Sequence, residues 1–550
     1  MPPGTPAAQS SKPAKSKNVA GLGLHNFLVM HPFNGTGMAS ITTVNAPGIL
    51  TLDGTSNVSQ GAGFQITLNN GAVLNYANVS AGAAFDVLAG AVTNNGNTTV
   101  NVTATSGNNQ GGLFFDGGLK GTGTMTINAT TPRMGVNIRN NNTTFVGTLI
   151  VNGIASTVLG SGSGLGVGGC TTGLQSADIT LNGTMELLNQ GLGWANTASG
   201  AFRMGALNGT GVMVGNFTTG GVTTVTLGNT NTNGSFGGEI ANGVGNTVGL
   251  VKTGTAKQTL TGINTYTGPT TVNGGSLEVN GSLAAGSAVT VATGGTLSGT
   301  GVVGGSVNVQ AGGIVAPGNG SIESLETGAA TLAGTYNCQV GATTSDLVQV
   351  TGDLNVNGAT LAFSTVGTPA APSYVIATYT GALTGTLAGV TGLPVGYTLD
   401  TSTVGQIKLV ASGYDAWALL KGLDATNNGL AQDPDFDGVE NLLEFYLDGN
   451  PLASDSAILP KPMLDATYLT LTFKRRDDAE ASIATQSVQF GNTLAAWTTS
   501  AVGPVSTPAD VNNVIVTVAE NADSPDDVVV QIPLTHAVAG NLFGRLQVIK

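Results

Sequence analysis

The densest chemistry in the chain is the stretch DPDFDGVENLLE, residues 433–444. Carboxylates at positions one, three and five, a glycine at six and a carboxylate at twelve are the spacing that wraps a hard divalent cation in oxygen. Asp433, Asp435 and Asp437 supply side-chain oxygens, and Val439 supplies its backbone carbonyl. Asn441 stands at the ninth position, which commonly acts through water, and Glu444 closes the loop with two oxygens. Six to eight hard oxygens on a flexible loop suit Ca²⁺. The competing reading is an acidic loop before a helix, its carboxylates favoured by the helix dipole. Pro434 stiffens the second position, and Glu440 fills the eighth, where a paired loop would place an apolar residue. A single unpaired loop is therefore expected.

The remaining reactive residues are sparse. Asp116, Lys120 and Arg139 fall about one coil apart in a repeating structure, as do Glu326 and Asp346. Such pairs would serve as general acid and base only in a shared cleft; otherwise they are solvated turn residues. His25 and His31 precede the repetitive region and His536 follows it. The run GSGSGLGVGG, residues 160–169, has the glycines of a phosphate loop but no helix after it, and a phosphate loop needs that helix N-terminus. Cys170 and Cys338 have no metal-ligand spacing; they pair only if the fold brings them together, and otherwise are isolated small residues.

The elements that must position these residues are β-strands. The chain of 550 residues holds 85 glycines, with only 9% charged and 5% aromatic residues, against about 25% charged in ordinary soluble domains. The mean hydropathy is +0.21, yet no apolar run approaches the ~18 residues of a membrane helix, so no transmembrane segment is expected. The net charge is −13 with 17 basic residues, and Lys474-Arg475-Arg476 runs straight into Asp477 and Asp478. That excludes the basic footprint of a nucleic-acid binder.

Charge divides the chain. Residues 40–410 hold 19 charged residues, residues 411–550 hold 25 and the first 39 hold 3. Within 40–410, short alternating runs such as FQITLNN, TTVNVTAT and GSVNVQAGG recur between Gly and Asn turns, the pattern of many short strands. Strand-turn units at short intervals and small inward residues favour a parallel β-solenoid, whose narrow interior would not admit bulky aromatics. Coils of about 20 residues would give about eighteen. Residues 411–464 read as a helical connector: YDAWALLKGL (414–423), capped by Asp415, and VENLLEFYL (439–447) have helical spacing, and Gly449 and Pro451 stop the second helix. Residues 465–550 alternate again in longer, fewer runs, as in a small antiparallel β-sandwich. Residues 1–39 read as a disordered tail that could also cap the solenoid. Their Lys, Pro and Ser content makes a poor signal peptide, so the export signal lies outside this chain or the start is misplaced.

The stretch GLVKTGTAKQTLTGINTYTGPTTVNGGSLEVNGSL, residues 249–283, with LSGTGVVGGSVNVQAGGIVAPGNG after it, closely resembles the autotransporter-associated β-strand repeat of bacterial surface proteins. The match extends over residues 226–364. The resemblance implies a right-handed parallel β-helix displayed outside the cell. Residues 465–550 hold no series of ~10-residue lipid-facing strands, so no translocator barrel is expected there. The acidic loop resembles the EF-hand type and, as a lone loop, is similar to dockerin-like and thrombospondin-like calcium connectors.

The expectation is an all-β, extracellular or cell-surface stalk that is structural or adhesin-like and not catalytic. It would have a calcium-stabilised connector, a surface glycan, matrix component or neighbouring-cell ligand as partner, and no nucleic acid. The alternative is a polysaccharide-degrading β-helix enzyme of the pectin-lyase-like lyase or glycoside hydrolase kind.

Overall fold

A computed structural model describes residues 17–19, 27–30, 40–54, 58–60, 64–78, 84–104, 111–129, 134–138, 144–153, 164–168, 174–188, 200–215, 221–318, 320–424, 426–521 and 525–550. The chain divides into two compact units, the first comprising Met1–Cys338, Asp346–Ala362 and Ala377–Thr391.

The first unit is a parallel β-solenoid. Each strand pairs in parallel with the equivalent strand of the next coil, as in Thr270–Val272, Val289–Val291 and Val307–Val309. Three such stacks run side by side. Period-2 alternation puts one side of every strand inward. One interior column reads Val225, Leu250, Thr270, Val289, Val307, Ala330 and Leu354, all buried. The coils are not uniform. Val289 pairs with Val307, 18 residues on, whereas Gly147 pairs with Ala177, 30 residues on. Longer coils make fewer of them than a 20-residue period gives.

Three differences from the sequence reading have physical causes. The interior does admit aromatics: Tyr76, Phe115, Phe145, Phe236, Tyr266 and Tyr336 are fully buried. They use space that glycine leaves; a Cβ at Gly238 would lie 2.6 Å from the Phe236 ring. Parallel pairing also begins before residue 40. Lys17–Val19 pairs with Ser40–Val44, and Phe27–Met30 pairs with Ile49–Gly54, so these segments are strands and not tail. Their backbone covers the otherwise open sheet edge. Finally, the parallel stack does not continue to 410. Tyr397–Asp400 and Gln406–Ala411 form an antiparallel hairpin in the second unit. Asp400 accepts hydrogen bonds from the Ser402 N–H and hydroxyl, and Gly405 has φ 82°, which turns the chain back on itself.

Polar side chains order the coil around residues 250–279. Lys252 occupies the interior column between Leu227 and Val272 and is 1% exposed. Its Nζ donates to the carbonyls of Thr253 (2.7 Å) and Gly274 (3.2 Å). Burial lowers its pKa from 10.5 to about 8. Gly275, at φ +60°, comes so close that a Cβ there would lie 2.9 Å from Nζ. Gln258 exchanges two hydrogen bonds with the Leu207 backbone. Asn264 accepts from the Ile240 N–H and donates to the Gly262 and Ser282 carbonyls. On the outer surface of earlier coils, Asn182, Asn152, Asn128 and Asn101 each donate to the next asparagine, ending at Asn75, over 2.9–3.0 Å.

The second unit takes in Gln339–Ser345, Phe363–Ile376 and Gly392–Lys550, so it reaches back before residue 411. It contains helices α1 (Gly413–Leu420), α2 (Asn441–Leu447) and α3 (Asp477–Ser482), the last in a stretch where the sequence suggests only a polar connection. It also holds a four-stranded antiparallel sheet, Lys461–Leu464, Tyr468–Arg475, Asp526–Pro533 and Ile515–Ala519, and a three-stranded one, Ala496–Ala501, Thr485–Thr493 and Phe543–Ile549. Trp417, Phe445, Tyr446, Phe473, Val488, Phe490, Val516, Val530 and Ile532 share one core, joining the helices to both sheets.

Candidate functional site

The acidic loop lies between α1 and α2. Helix α1 stops where Gly422 takes φ 86°. Its cap position is Ser412, and Asp415 lies inside the first turn; the Gly413 N–H instead donates to Asp478 Oδ2 at 3.2 Å. Helix α2 begins at Asn441, two residues later than the periodicity suggests. The Val439 N–H is held by Asp437 Oδ1 (2.9 Å), and Glu440 is extended. The left-handed Asp448 ends α2, and the Gly449 N–H returns to the Glu444 carbonyl (2.7 Å). Trp417 and Phe445 pack at 5.5 Å between ring centroids, anchoring both helices in the core.

The loop backbone draws its carboxylates together. The Asp437 N–H donates to Asp433 Oδ1 and Asp435 Oδ1, each at 3.2 Å, and the Gly438 N–H donates to Asp433 Oδ2 at 2.9 Å. Gly438 has φ 90° and Phe436 φ 60°; the Phe436 ring is 89% exposed. One oxygen each of Asp433, Asp435 and Asp437 lie within 4.8 Å of one another. Val439 is buried beside them. Asn441, fully buried, turns its Nδ2 to the carbonyls of Asn427 (2.8 Å) and Gly429 (2.9 Å), so only its Oδ1 is left for a water or ion.

Glu444 is the most telling residue. It is 0% exposed, and neither carboxylate oxygen has a hydrogen-bond partner. Burial first, then the charges of Asp455, Asp435, Asp437 and Asp433, push its pKa up to about 8. Desolvation likewise raises Asp435, with Asp437 and Asp433 adding repulsion. Asp435 Oδ2, Asn441 Oδ1 and Asp455 Oδ1 are also buried without a partner. A buried carboxylate facing other carboxylates is costly unless a cation joins them. This donor set is all oxygen, the chemistry of a hard cation and not of a thiolate- or imidazole-binding metal.

Asp455 is the residue that spacing alone misses. It lies beyond the twelve-residue frame, past the end of α2, yet its N–H donates to Asp437 Oδ2 at 2.7 Å.

A second acidic group, Glu480, Glu520 and Asp526, already has its cation. The fully buried Arg475 lies 2.9 Å from Glu480, 3.9 Å from Glu520 and 2.8 Å from Asp526. That is an ion-pair network around a buried guanidinium, whose charge is met by these carboxylates.

The other sequence candidates lie outside this loop. Register places Glu326 beside Gln349, and Ser324 beside Leu347. Asp346 is buried, its Oδ1 accepting the Glu323 N–H, so Glu326 and Asp346 share no cleft. Asp116 follows the strand Gly111–Phe115 and Lys120 is exposed in the strand Leu119–Ala129; Arg139 lies outside the described residues, as do His25, His31 and Cys170. Cys338 is buried, its Sγ 3.7 Å from the Asp346 carbonyl, and burial raises its thiol to about 12. Of the run 160–169, Gly164–Gly168 is a strand paired in parallel on both sides, and the remainder lies outside the described residues. The His536 Nε2 is 2.8 Å from the Asn512 carbonyl.

Among the described residues no helix is long and apolar enough to cross a membrane. No curated protein sequence matches the chain. The family model described as the passenger-associated transport repeat matches residues 250–279, the coil ordered by Lys252, Gln258 and Asn264. With the parallel coils stacked on both sides of that match, the chain is similar to autotransporter passenger-type β-helix repeat proteins.

Proposed function

We propose that this protein is a surface-exposed structural or adhesin-like passenger that acts by presenting its outer faces and performs no chemistry. The observation that carries the reading is the passenger-associated repeat set within a stack of parallel coils. Such a stack spends its inward side chains on contacts between coils and leaves an outer surface of Thr, Ser and Asn with few charges. That surface suits an uncharged polar ligand such as a surface or matrix glycan. The test is a glycan array probed with the full chain, beside a product assay on acidic polysaccharides. Binding without product release is expected; release of cleaved sugars that depends on solenoid carboxylates would overturn the non-catalytic reading.

The loop at 433–444 is read as a calcium site, held by Asp433, Asp435, Asp437, the Val439 carbonyl, Asn441 through water, and Glu444. The buried, unpartnered Glu444 is its main support. The ion supplies the positive charge that the carboxylates lack and fixes α2 against the two-sheet module, read as a β-sandwich. An unpaired loop implies a dissociation constant of about 10⁻⁴–10⁻³ M, as in extracellular modules, so the site would fill outside the cell and empty inside it. Calorimetry of the full chain at millimolar calcium tests this; no binding heat would refute it.

A further inference from the structure

We infer that Asp455 is a further ligand of this cation site, so that residues 450–455 form a clasp that closes over the ion from beyond α2. The inference rests on the calcium reading above and extends it to a residue outside the loop frame. Asp455 is held in place by its own backbone. Its N–H donates to Asp437 Oδ2 (2.7 Å), and its Oδ2 accepts the Asn450 N–H (2.7 Å). The first bond ties the far end of the segment to the acidic loop, and the second joins the segment's two ends to each other. The other oxygen, Oδ1, is buried and has no partner.

The chain is shaped to bring this carboxylate in. Gly449 lies against it: a Cβ there would sit 3.0 Å from Glu444 Cβ and 3.2 Å from Asp455 Oδ2. Asp448, at φ 61°, turns the chain at the end of α2. The unpartnered carboxylate of the fully buried Glu444 and the unpartnered Oδ1 of Asp455, held this close without a counter-charge, are what a shared cation would join. In a twelve-residue loop the glutamate is normally the last ligand. Here a turn after the helix would supply one more oxygen and make the fold of 450–459 depend on the ion.

The test uses the full chain and Ca²⁺ itself. Calorimetry compares the wild type, Asp455→Asn and a charge control, Glu440→Gln, whose side chain is exposed. Asn keeps an acceptor for the Asn450 N–H and leaves the backbone bond to Asp437 intact. Asp455→Asn should weaken calcium binding about tenfold or more, and Glu440→Gln by less than about twofold. Hydrogen exchange adds a second readout: calcium should protect residues 450–459 in the wild type and in Glu440→Gln, and not in Asp455→Asn. If the wild type binds no calcium, the calcium reading fails and this inference with it. If the wild type binds, but Asp455→Asn matches Glu440→Gln in affinity and in protection, the clasp alone is wrong.

Discussion

Replacing Glu444 by Gln should stabilise the calcium-free protein while abolishing its response to calcium. Glu444 is 0% exposed and has no hydrogen-bond partner, and its pKa rises from 4.5 to about 8 in the fold. Between these values the folded state holds a proton that the unfolded chain has released, so stability is greatest below pH 4.5 and falls as pH rises toward 8. At 1.36 kcal/mol per pH unit, the cost at pH 7 is about 3 kcal/mol. Gln keeps the shape and carries no charge to desolvate, so it avoids that cost. For a unit of this size about 3 kcal/mol corresponds to roughly 6–12 °C in melting midpoint. Calcium acts oppositely on the wild type: at 10 mM and a dissociation constant of about 10⁻⁴–10⁻³ M, binding adds about 1.4–2.7 kcal/mol. Trp417, packed on Phe445, reports the transition by fluorescence. In chelator at pH 7 the Gln variant should melt higher than wild type, with the gap closing toward pH 4.5; in calcium only the wild type should shift upward. A Gln variant that melts lower in chelator, or shifts with calcium as the wild type does, would refute the account.

Other outcomes follow from the same geometry. Asp433→Ala should leave the loop open even in calcium, so chymotrypsin cuts at the exposed Phe436 while the solenoid stays intact on a gel. Leu297→Ala, in a fully buried interior column, should cost about 2–5 kcal/mol in denaturant unfolding of the solenoid. Asn128→Ala removes two rungs of the asparagine ladder and should cost about 1–3 kcal/mol in the same assay. The lowered pKa of Lys252, about 8, means that the unfolded chain binds more protons between pH 8 and 10.5. Solenoid stability should therefore rise with pH across that window, and the rise should be absent in Lys252→Met.

Much of this was legible in the chain, and what was not has a physical reason. The alternation of Val, Thr and Asn between glycines announces strands, and the spacing of Asp433, Asp435 and Asp437 announces a convergent loop, because both are local. Coil length was not legible: loops between strands vary freely where they point to solvent, so the pairing of Gly147 with Ala177 cannot be read from the period of Val289 and Val307. The burial of Glu444 depends on the packing of Phe445 and Tyr446 into the shared core, a tertiary effect. The approach of Asp455 depends on the turn at Asp448 and the lack of a side chain at Gly449, which no twelve-residue pattern contains. The hairpin at 397–411 alternates like any solenoid strand, and only the turn held by Asp400 distinguishes it.

Lys252 shows how a repeat can look chemically active and be structural. In the sequence it is one of the few cations of the repetitive region. In the coil its charge is turned inward and shared between the Thr253 and Gly274 carbonyls. Gln258 and Asn264 serve the backbone in the same way. A coil has to turn corners, and at each corner the strand ladder stops and leaves backbone groups that an apolar interior cannot satisfy. An inward polar side chain satisfies them, and its reach in one direction sets which neighbouring coil can stack there. A slipped coil would leave Lys252 buried without its carbonyls, at a cost far above that of a misplaced valine. The polar letters of the repeat therefore specify register, and the apolar ones supply cohesion. Outward positions whose side chains make no bond to a neighbouring coil can then vary without loss of fold.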